Sequence, residues 1–467
     1  MDILQHLTAH DSFRTPVREI VNRKRLLLIN PWVHDFSAYD LWAKPLGLLI
    51  LASSLRNSGW EPILVDCLDP CHPGLPEKSR RSSARGRFHR TEIPKPQALG
   101  NVPRTFARYG VPFENIKADL SGIDRPAAIL VTSMMTYWRT GLEETIKLAR
   151  EIFPGVPLIL GGIYASLDPV GARKILKVDK LITGPGETQI GRALHELLGT
   201  GVPDGDCKEI LFSPALDLLS NTSFIPLLTS RGCPYKCHYC ASKIVAPFFI
   251  QRPVRQVIGE LQMNLERYGC KDIAIYDDAF LVNAAEHALK ILEPFECERP
   301  DLRWHCPNGL HARSINREVA RSFAKTGFRT IRIGLESSSD LFNSATGAKT
   351  DRNLFLKAVG LLRDEGFTQE EIGAYLLVGL PNQTCAQIEE DVNFVLEAGA
   401  HPKLAEYSPI PGTFMWDEAV SKSAFPISDD TLFHNCTLLP VALPEVNHVF
   451  LGLTRRRIRN AIVTANV

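Results

Sequence analysis

The chain of 467 residues carries almost no net charge, +1 with histidine neutral. No global field therefore steers it toward nucleic acid or an anionic membrane. Long apolar runs are missing as well. The longest, "PLGLLILASSL", is about half of the roughly 20 residues that a membrane-spanning helix needs. The start, "MDILQHLTAHDSFRTPVREIVNRKR", is polar and charged and lacks the apolar core of a secretory signal. There is no internal repeat and no low-complexity tract. These absences exclude a membrane span and make the cytoplasm the expected address. The 11 cysteines, an odd number without a signal, do not read as a disulfide framework. In a reducing compartment they fit metal-binding or catalytic use.

What is present is alternation. In the first half, candidate strands "RLLLIN" (25–30), "PILVDC" (62–67), "AAILVTS" (127–133), "PLILGG" (157–162) and "KLITG" (180–184) are separated by amphipathic helical stretches. Near-continuous apolar strands alternating with helices predict a parallel sheet covered on both faces. A doubly wound, Rossmann-like domain over 23–200 follows, behind an N-terminal extension of 1–22. Ligands in such a domain sit beyond the carboxyl ends of the strands. An irregular insertion, 68–122, interrupts it with the basic run "KSRRSSARGRFHR", which reads either as a solvated loop or as a lid touching an anionic substrate. A linker at 201–222 is rich in Gly, Pro, Asp and Ser. From 223 to 415 six more strand candidates, "FIPLLTS", "DIAIYDD", "LRWHCPN", "TIRIGLES", "IGAYLLVG" and "LAEYSPI", alternate with five helical patterns. Right-handed crossovers would close these into a partial (β/α)6 TIM-type barrel. The class is α/β, and a segment of 416–467 ends the chain in a basic helix.

The stretch 231–240, "RGCPYKCHYC", sets Cys233, Cys237 and Cys240 on one short loop after the first barrel strand. Structural zinc wants four closed ligands, usually as two separated pairs. His238 could be the fourth, but wrapping all four around one ion within eight residues is awkward. An iron–sulfur cube with four irons normally takes four thiolates. Three thiolates leave one iron open for a small molecule.

"CPYKCHYC", with Tyr239 before the last cysteine, resembles the signature of the radical S-adenosylmethionine (SAM) superfamily. The resemblance implies that Cys233, Cys237 and Cys240 hold a 4Fe-4S cluster whose open iron binds SAM. One electron then breaks the bond between sulfur and the adenosyl carbon, giving a 5′-deoxyadenosyl radical that abstracts hydrogen from substrate. Other strand ends resemble the family's SAM contacts. In "IYDDAF", Asp277 and Asp278 would meet the SAM amino group, against the simpler reading of an acidic turn. In "CPNGLHA", Asn308 would point into the barrel. Glu336 and Ser337 of "IGLESSSD" resemble the ribose-contacting pair, and backbone near Val378 and Pro411 would approach the adenine.

A doubly wound domain ahead of such a barrel resembles the cobalamin-binding branch of the superfamily. That resemblance implies a cobalamin crevice lined by Ser133, Thr136, Gly161, Gly162, Gly184, Gly186 and Glu187; the plainer reading has the glycines shaping βα turns. The Asp-x-His-x-x-Gly motif of mutases is not matched. "PWVHDFS" has His34 but Trp32 and Ser37 in place of Asp and Gly, so histidine ligation of cobalt is not expected. Cys67 and Cys71 lack a partner pair, and the three further thiols of methylthiotransferases are not evident. The implied function is a radical SAM enzyme using cobalamin, with methyl transfer to carbon as the foremost reaction and SAM consumed twice. The alternatives are a cobalamin-independent radical enzyme and a non-catalytic cobalamin or redox sensor. The substrate, a small molecule or peptide, is not legible. An electron donor such as flavodoxin or ferredoxin is the implied partner, and a nucleic-acid partner is not expected.

Overall fold

A computed structural model describes residues 22–81, 85–199, 213–296, 299–347 and 350–465. Nearly all of the expected extension, 1–22, and the first part of the linker lie outside the described residues. The first sheet has five parallel strands: β1 (Asn22–Asn30), β2 (Glu61–Asp66), β3 (Pro126–Val131), β4 (Leu158–Leu160) and β5 (Lys180–Leu181). Their spatial order is β2-β1-β3-β4-β5. Order reverses at β1, the kind of switch point where open α/β sheets bind ligands.

Both faces are covered, which is why these strands read as unbroken apolar runs. Leu26 and Leu28 of β1 pack with helices α1 (Leu46–Asn57) and, farther along the chain, the helix Ile190–Leu198. Leu27 and Ile29 face the other way, onto α2 (Arg139–Ile152) and the helix Phe113–Ser121. That last helix belongs to the 68–122 insertion, so the insertion is not the irregular loop that its sequence suggests. Its Val111, Ile116 and Leu120 are fully buried against the sheet. It also adds the short strands Arg90–Glu92 and Ala107–Tyr109 beside Val33–Asp35, and Arg85–Arg87 beside Tyr39–Leu41. Alternating apolar residues were too few there to signal a strand, because each pairs over three residues and borrows its cover from the main sheet.

The second sheet has six parallel strands in chain order: β6 (Ile225–Leu227), β7 (Asp272–Ile275), β8 (Arg303–Leu310), β9 (Phe328–Glu336), β10 (Ile372–Val378) and β11 (His401–Glu406). Helices α3 (Val254–Tyr268), α4 (Arg317–Thr326), α5 (Arg352–Asp364) and α6 (Cys385–Glu397) cover its outer face. The largest core forms there. Ile331, Ile333 and Leu335 of β9 point into it with Phe323, Phe355 and Val392 from the helices. Alternation then turns Thr330, Arg332, Gly334 and Glu336 toward the inner side. The closing helix, α7 (His448–Ala465), buries Ile458 and Ile462 in the same core. The edge strands β6 and β11 do not pair. Trp42 enters on the inner side, stacked on His305 at 4.0 Å and edge-on to Phe224 at 5.2 Å.

Candidate active site

The cysteine loop is held by backbone. Ser230–Arg231 pairs antiparallel with Ile250–Gln251 just before the first thiol. Gly232 follows at φ +77°, where a Cβ would lie 2.5 Å from the Phe248 carbonyl oxygen. Only glycine fits that turn. Beyond it the His238 N–H donates to Thr346 O at 3.1 Å, and the His238 carbonyl accepts from Met415 N–H at 3.2 Å. Segments after β9 and after β11 thus clamp the loop from two sides. Gly347 approaches so closely that a Cβ there would meet Lys236 O at 2.7 Å.

Cys233, Cys237 and Cys240 are free thiols, the first two half-buried and the third exposed. Burial, then the charges of Cys240 and Cys237, push the Cys233 thiol up to about 11. Three thiolates on one loop repel one another, and a cationic metal centre removes that repulsion by holding them deprotonated. The donor set fits an iron–sulfur cluster: soft ligands only, on backbone that is already fixed. Among the described residues, no three His, Cys, Asp or Glu side chains converge on a single metal ion. Tyr239 packs beside Leu380, Tyr407 and Met415. Burial, followed by the charge of Glu336, raises its hydroxyl well above the usual range.

The two sheets point their carboxyl ends at one cavity of about 260 Å³. Thr132 after β3, Gly161 and Gly162 after β4, and Gly184, Gly186 and Glu187 after β5 form one wall. Leu228, Ser230, Arg231 and Gly232 after β6, with Tyr276 and Asp278 after β7, form the other. The glycines divide into two kinds. A Cβ on Gly161, Gly184 or Gly186 would meet nothing nearer than 3.9 Å, so their bare faces border open space. Gly162 is required by packing: at φ +95° its Cβ would sit 2.4 Å from Ser133 O.

Several sequence-derived residues serve differently from expectation. Asp277, 2% exposed, accepts from Thr229 N–H at 2.7 Å and Thr229 Oγ1 at 2.6 Å, and also from the Ser230 hydroxyl. It ties the end of β7 to the end of β6 and presents no free oxygen to a ligand. Burial pushes its carboxyl up to about 6, against those hydrogen bonds. Asp278 alone of the pair lines the cavity. Asn308 donates to the backbone carbonyls of Tyr276 and Asp277 at 3.0 and 3.2 Å, bracing the same strand end. The Ser337 hydroxyl donates to buried Asp391 at 3.1 Å, which withdraws it from a ribose. The Val378 carbonyl accepts from Tyr407 N–H at 2.9 Å, and its side chain packs among Ile388 and Leu439. Pro411 is half-buried on the loop after β11. Ser133 is spent on Gly161 O at 2.6 Å, and Thr136 faces His434 Nδ1 at 2.9 Å, so neither lines the cavity. His34 is buried against Glu144 at 3.0 Å, and Cys71 donates to Arg81 O at 2.9 Å.

Glu336 sits at φ +68° at the end of β9. A non-glycine residue held in the left-handed region is the kind of strain that clusters at functional sites. Sequence reading missed Arg231. Its guanidinium pairs with Glu187 at 2.6 Å, across the junction between the two sheets, with 5% of the glutamate side chain exposed. The signal was there, an arginine directly before "GCPYKC", but its partner lies 44 residues upstream in another unit. Replacing Glu187 with glutamine leaves the arginine half-buried and unpaired, and removing one partner of such a pair costs about 3 kcal/mol. A lower melting temperature than wild type is the expected reading, and an unchanged one would show that the pair is not strained by burial.

Comparisons with known proteins agree with this fold. Residues 227–395 match the radical SAM superfamily. The chain carries a radical SAM domain. It is 24% identical over 310 residues, 59% of its length, to an uncharacterized methyltransferase of Pyrococcus horikoshii. That match spans 66% of the relative's own length, just under two thirds. Among solved structures, the methyltransferase TsrM of Kitasatospora setae, with tryptophan and a SAM analogue bound, aligns with a TM-score of 0.64 at 16% identity, over 88% of this chain and 83% of that one. The cobalamin-dependent radical enzyme OxsB, with aqua-cobalamin bound, aligns with a TM-score of 0.57 at 15% identity, over 94% and 62%. The radical SAM domain and the five-stranded sheet before it therefore share one fold with both. A 4Fe-4S cluster and SAM are the cofactors of that domain, and Cys233, Cys237 and Cys240 lie within its matched residues. No helix among the described residues is long and apolar enough to cross a membrane.

Proposed function

We propose that this chain is a cobalamin-dependent radical SAM enzyme that transfers a methyl group to an unactivated carbon of its substrate. One observation carries the reading: Arg231 and Gly232, which lead into the cysteine loop, border the same cavity as the glycine-lined crevice. The cradle fits a large flat cofactor, since bare backbone at Gly161, Gly184 and Gly186 borders space that side chains would fill. Among the described residues no histidine lines it, and His34 is committed to Glu144, so none of them offers an imidazole to cobalt from this wall. When bound, cluster and SAM would supply an adenosyl radical, and cobalamin a transferable methyl group. The chain's own residues do the positioning. Clamped backbone fixes the thiols, Asp278 offers a carboxylate near the loop for the SAM ammonium, and the Arg231–Glu187 pair locks the crevice against the barrel. TsrM and OxsB, named for methyl transfer and for cobalamin dependence, support the same assignment.

The test is S-adenosylhomocysteine formation by the anaerobically reconstituted full chain supplied with SAM, a strong reductant and cobalamin. Product that depends on added cobalamin supports methyl transfer. Formation of 5′-deoxyadenosine alone, indifferent to cobalamin, would favour a cobalamin-independent radical enzyme. Neither product, with the cluster intact, would favour a sensor.

A further inference from the structure

On the inner side of the barrel, Arg332 and Lys403 pair with no carboxylate among the described residues. Arg332 lies on β9 between Ile331 and Ile333, which face the outer core, so it points inward. It is 9% exposed. Its guanidinium donates to the carbonyls of Ile331 at 2.9 Å and Glu371 at 3.2 Å, and among the described residues it pairs with no carboxylate. The side chain lies flat across β10 because the residue there is Gly373, whose Cβ would meet Arg332 Cδ at 2.7 Å. In the sheet register Gly373 pairs with His401 of β11, and Tyr375 pairs with Lys403. Lys403 Nζ stands 3.1 and 3.2 Å from the two ring nitrogens of His401. Burial, then Arg332 and Arg85, lower the lysine to about 8, and burial lowers His401 to about 4. Exposed Glu370 is the acidic charge acting on both cations.

Buried and half-buried cations without a paired anion are disfavoured unless a ligand supplies the charge. We infer that Arg332 and Lys403, with His401 beside them, form an oxyanion site on the inner side of the barrel that receives a carboxylate or phosphate of the substrate. The anion is not that of SAM. Glu336 at the strand end is four residues farther along β9, about 13 Å at the rise of a strand. The substrate is therefore a molecule that bears an acidic group well removed from the carbon attacked. The substrate assignment rests on the proposed radical chemistry; the oxyanion site does not.

The experiment compares melting temperatures of the reconstituted full chain in sodium phosphate, sodium succinate and sodium chloride at equal ionic strength. A rise with phosphate or succinate over chloride is expected, and which of the two acts tells a phosphorylated from a carboxylated substrate. Arg332→Met should melt higher than wild type in chloride and bind the effective anion about ten- to hundred-fold more weakly. Lys403→Met should weaken it likewise, and serves alone if the first variant does not fold. No anion-dependent rise in wild type, or an undiminished rise in the variants, would overturn the inference. Iron content of the same samples separates the two readings: an anion response without cluster speaks against the radical assignment and leaves this site standing.

Discussion

Replacing Cys240 with alanine is expected to abolish SAM cleavage, lowering 5′-deoxyadenosine formation to background while the fold survives. Cys240 is exposed and sits at the end of a turn closed by its own N–H to Cys237 O at 3.1 Å. Its thiol faces Ser242, with Oγ at 3.3 Å and N–H at 3.4 Å, and is no part of any core cluster. Truncation therefore removes little packing and at most about 0.5 kcal/mol, as for surface substitutions generally. The chemical loss is of another order. A cluster carried on three thiolates has no spare ligand, and every later event depends on it. Circular dichroism and iron content distinguish the outcomes. A folded variant without iron fits the assignment. One that retained iron and still cleaved SAM would remove Cys240 from the ligand set.

The next largest effect is expected from two neighbouring glycines that ought to behave oppositely. Gly162→Ala forces a side chain into the left-handed region, with its Cβ 2.4 Å from Ser133 O and 2.6 Å from Ser133 N. Backbone cannot yield as a flexible side chain does, so strain and displacement together cost about 3 kcal/mol. Gly161→Ala has nothing nearer than 4.0 Å and no positive φ to maintain. It should leave the melting temperature within a degree or so of wild type, at about 0.5 kcal/mol or less, while its methyl intrudes on the cavity and weakens corrinoid retention. If instead both variants were equally stable, or Gly161→Ala bound corrinoid as wild type does, the crevice would be a set of βα turns and nothing more.

Much of this was legible from sequence because the signals were local. Three cysteines within eight residues need no fold to be read together, and apolar strands covered on both faces announce a parallel sheet through uninterrupted runs such as "RLLLIN". Individual SAM contacts were harder, since residue type and strand-end position do not say whether a polar group is already satisfied. Asp277, Ser337 and Asn308 stand at strand ends, yet their hydrogen bonds go to Thr229, Asp391 and backbone carbonyls. Ser133 and Thr136 were drawn away in the same manner. Which residues pair over a long range was not written in the sequence. Arg231 with Glu187, or Arg332 lying over Gly373 toward β11, exist only once separate strands are aligned. The insertion at 68–122 looked irregular because its strands are three residues long and its helix is covered by another element.

The central claim is that the chain carries a cluster on its cysteine loop and a corrinoid in the glycine-lined crevice beside it. Its most direct test is the iron, sulfide and corrinoid content of protein purified without oxygen from cobalamin-supplied cells. About four irons and one corrinoid per chain are expected, with corrinoid lost from a Gly186→Trp variant that keeps its iron. Iron without corrinoid in the wild-type protein would contradict the account and leave the first sheet with some other occupant.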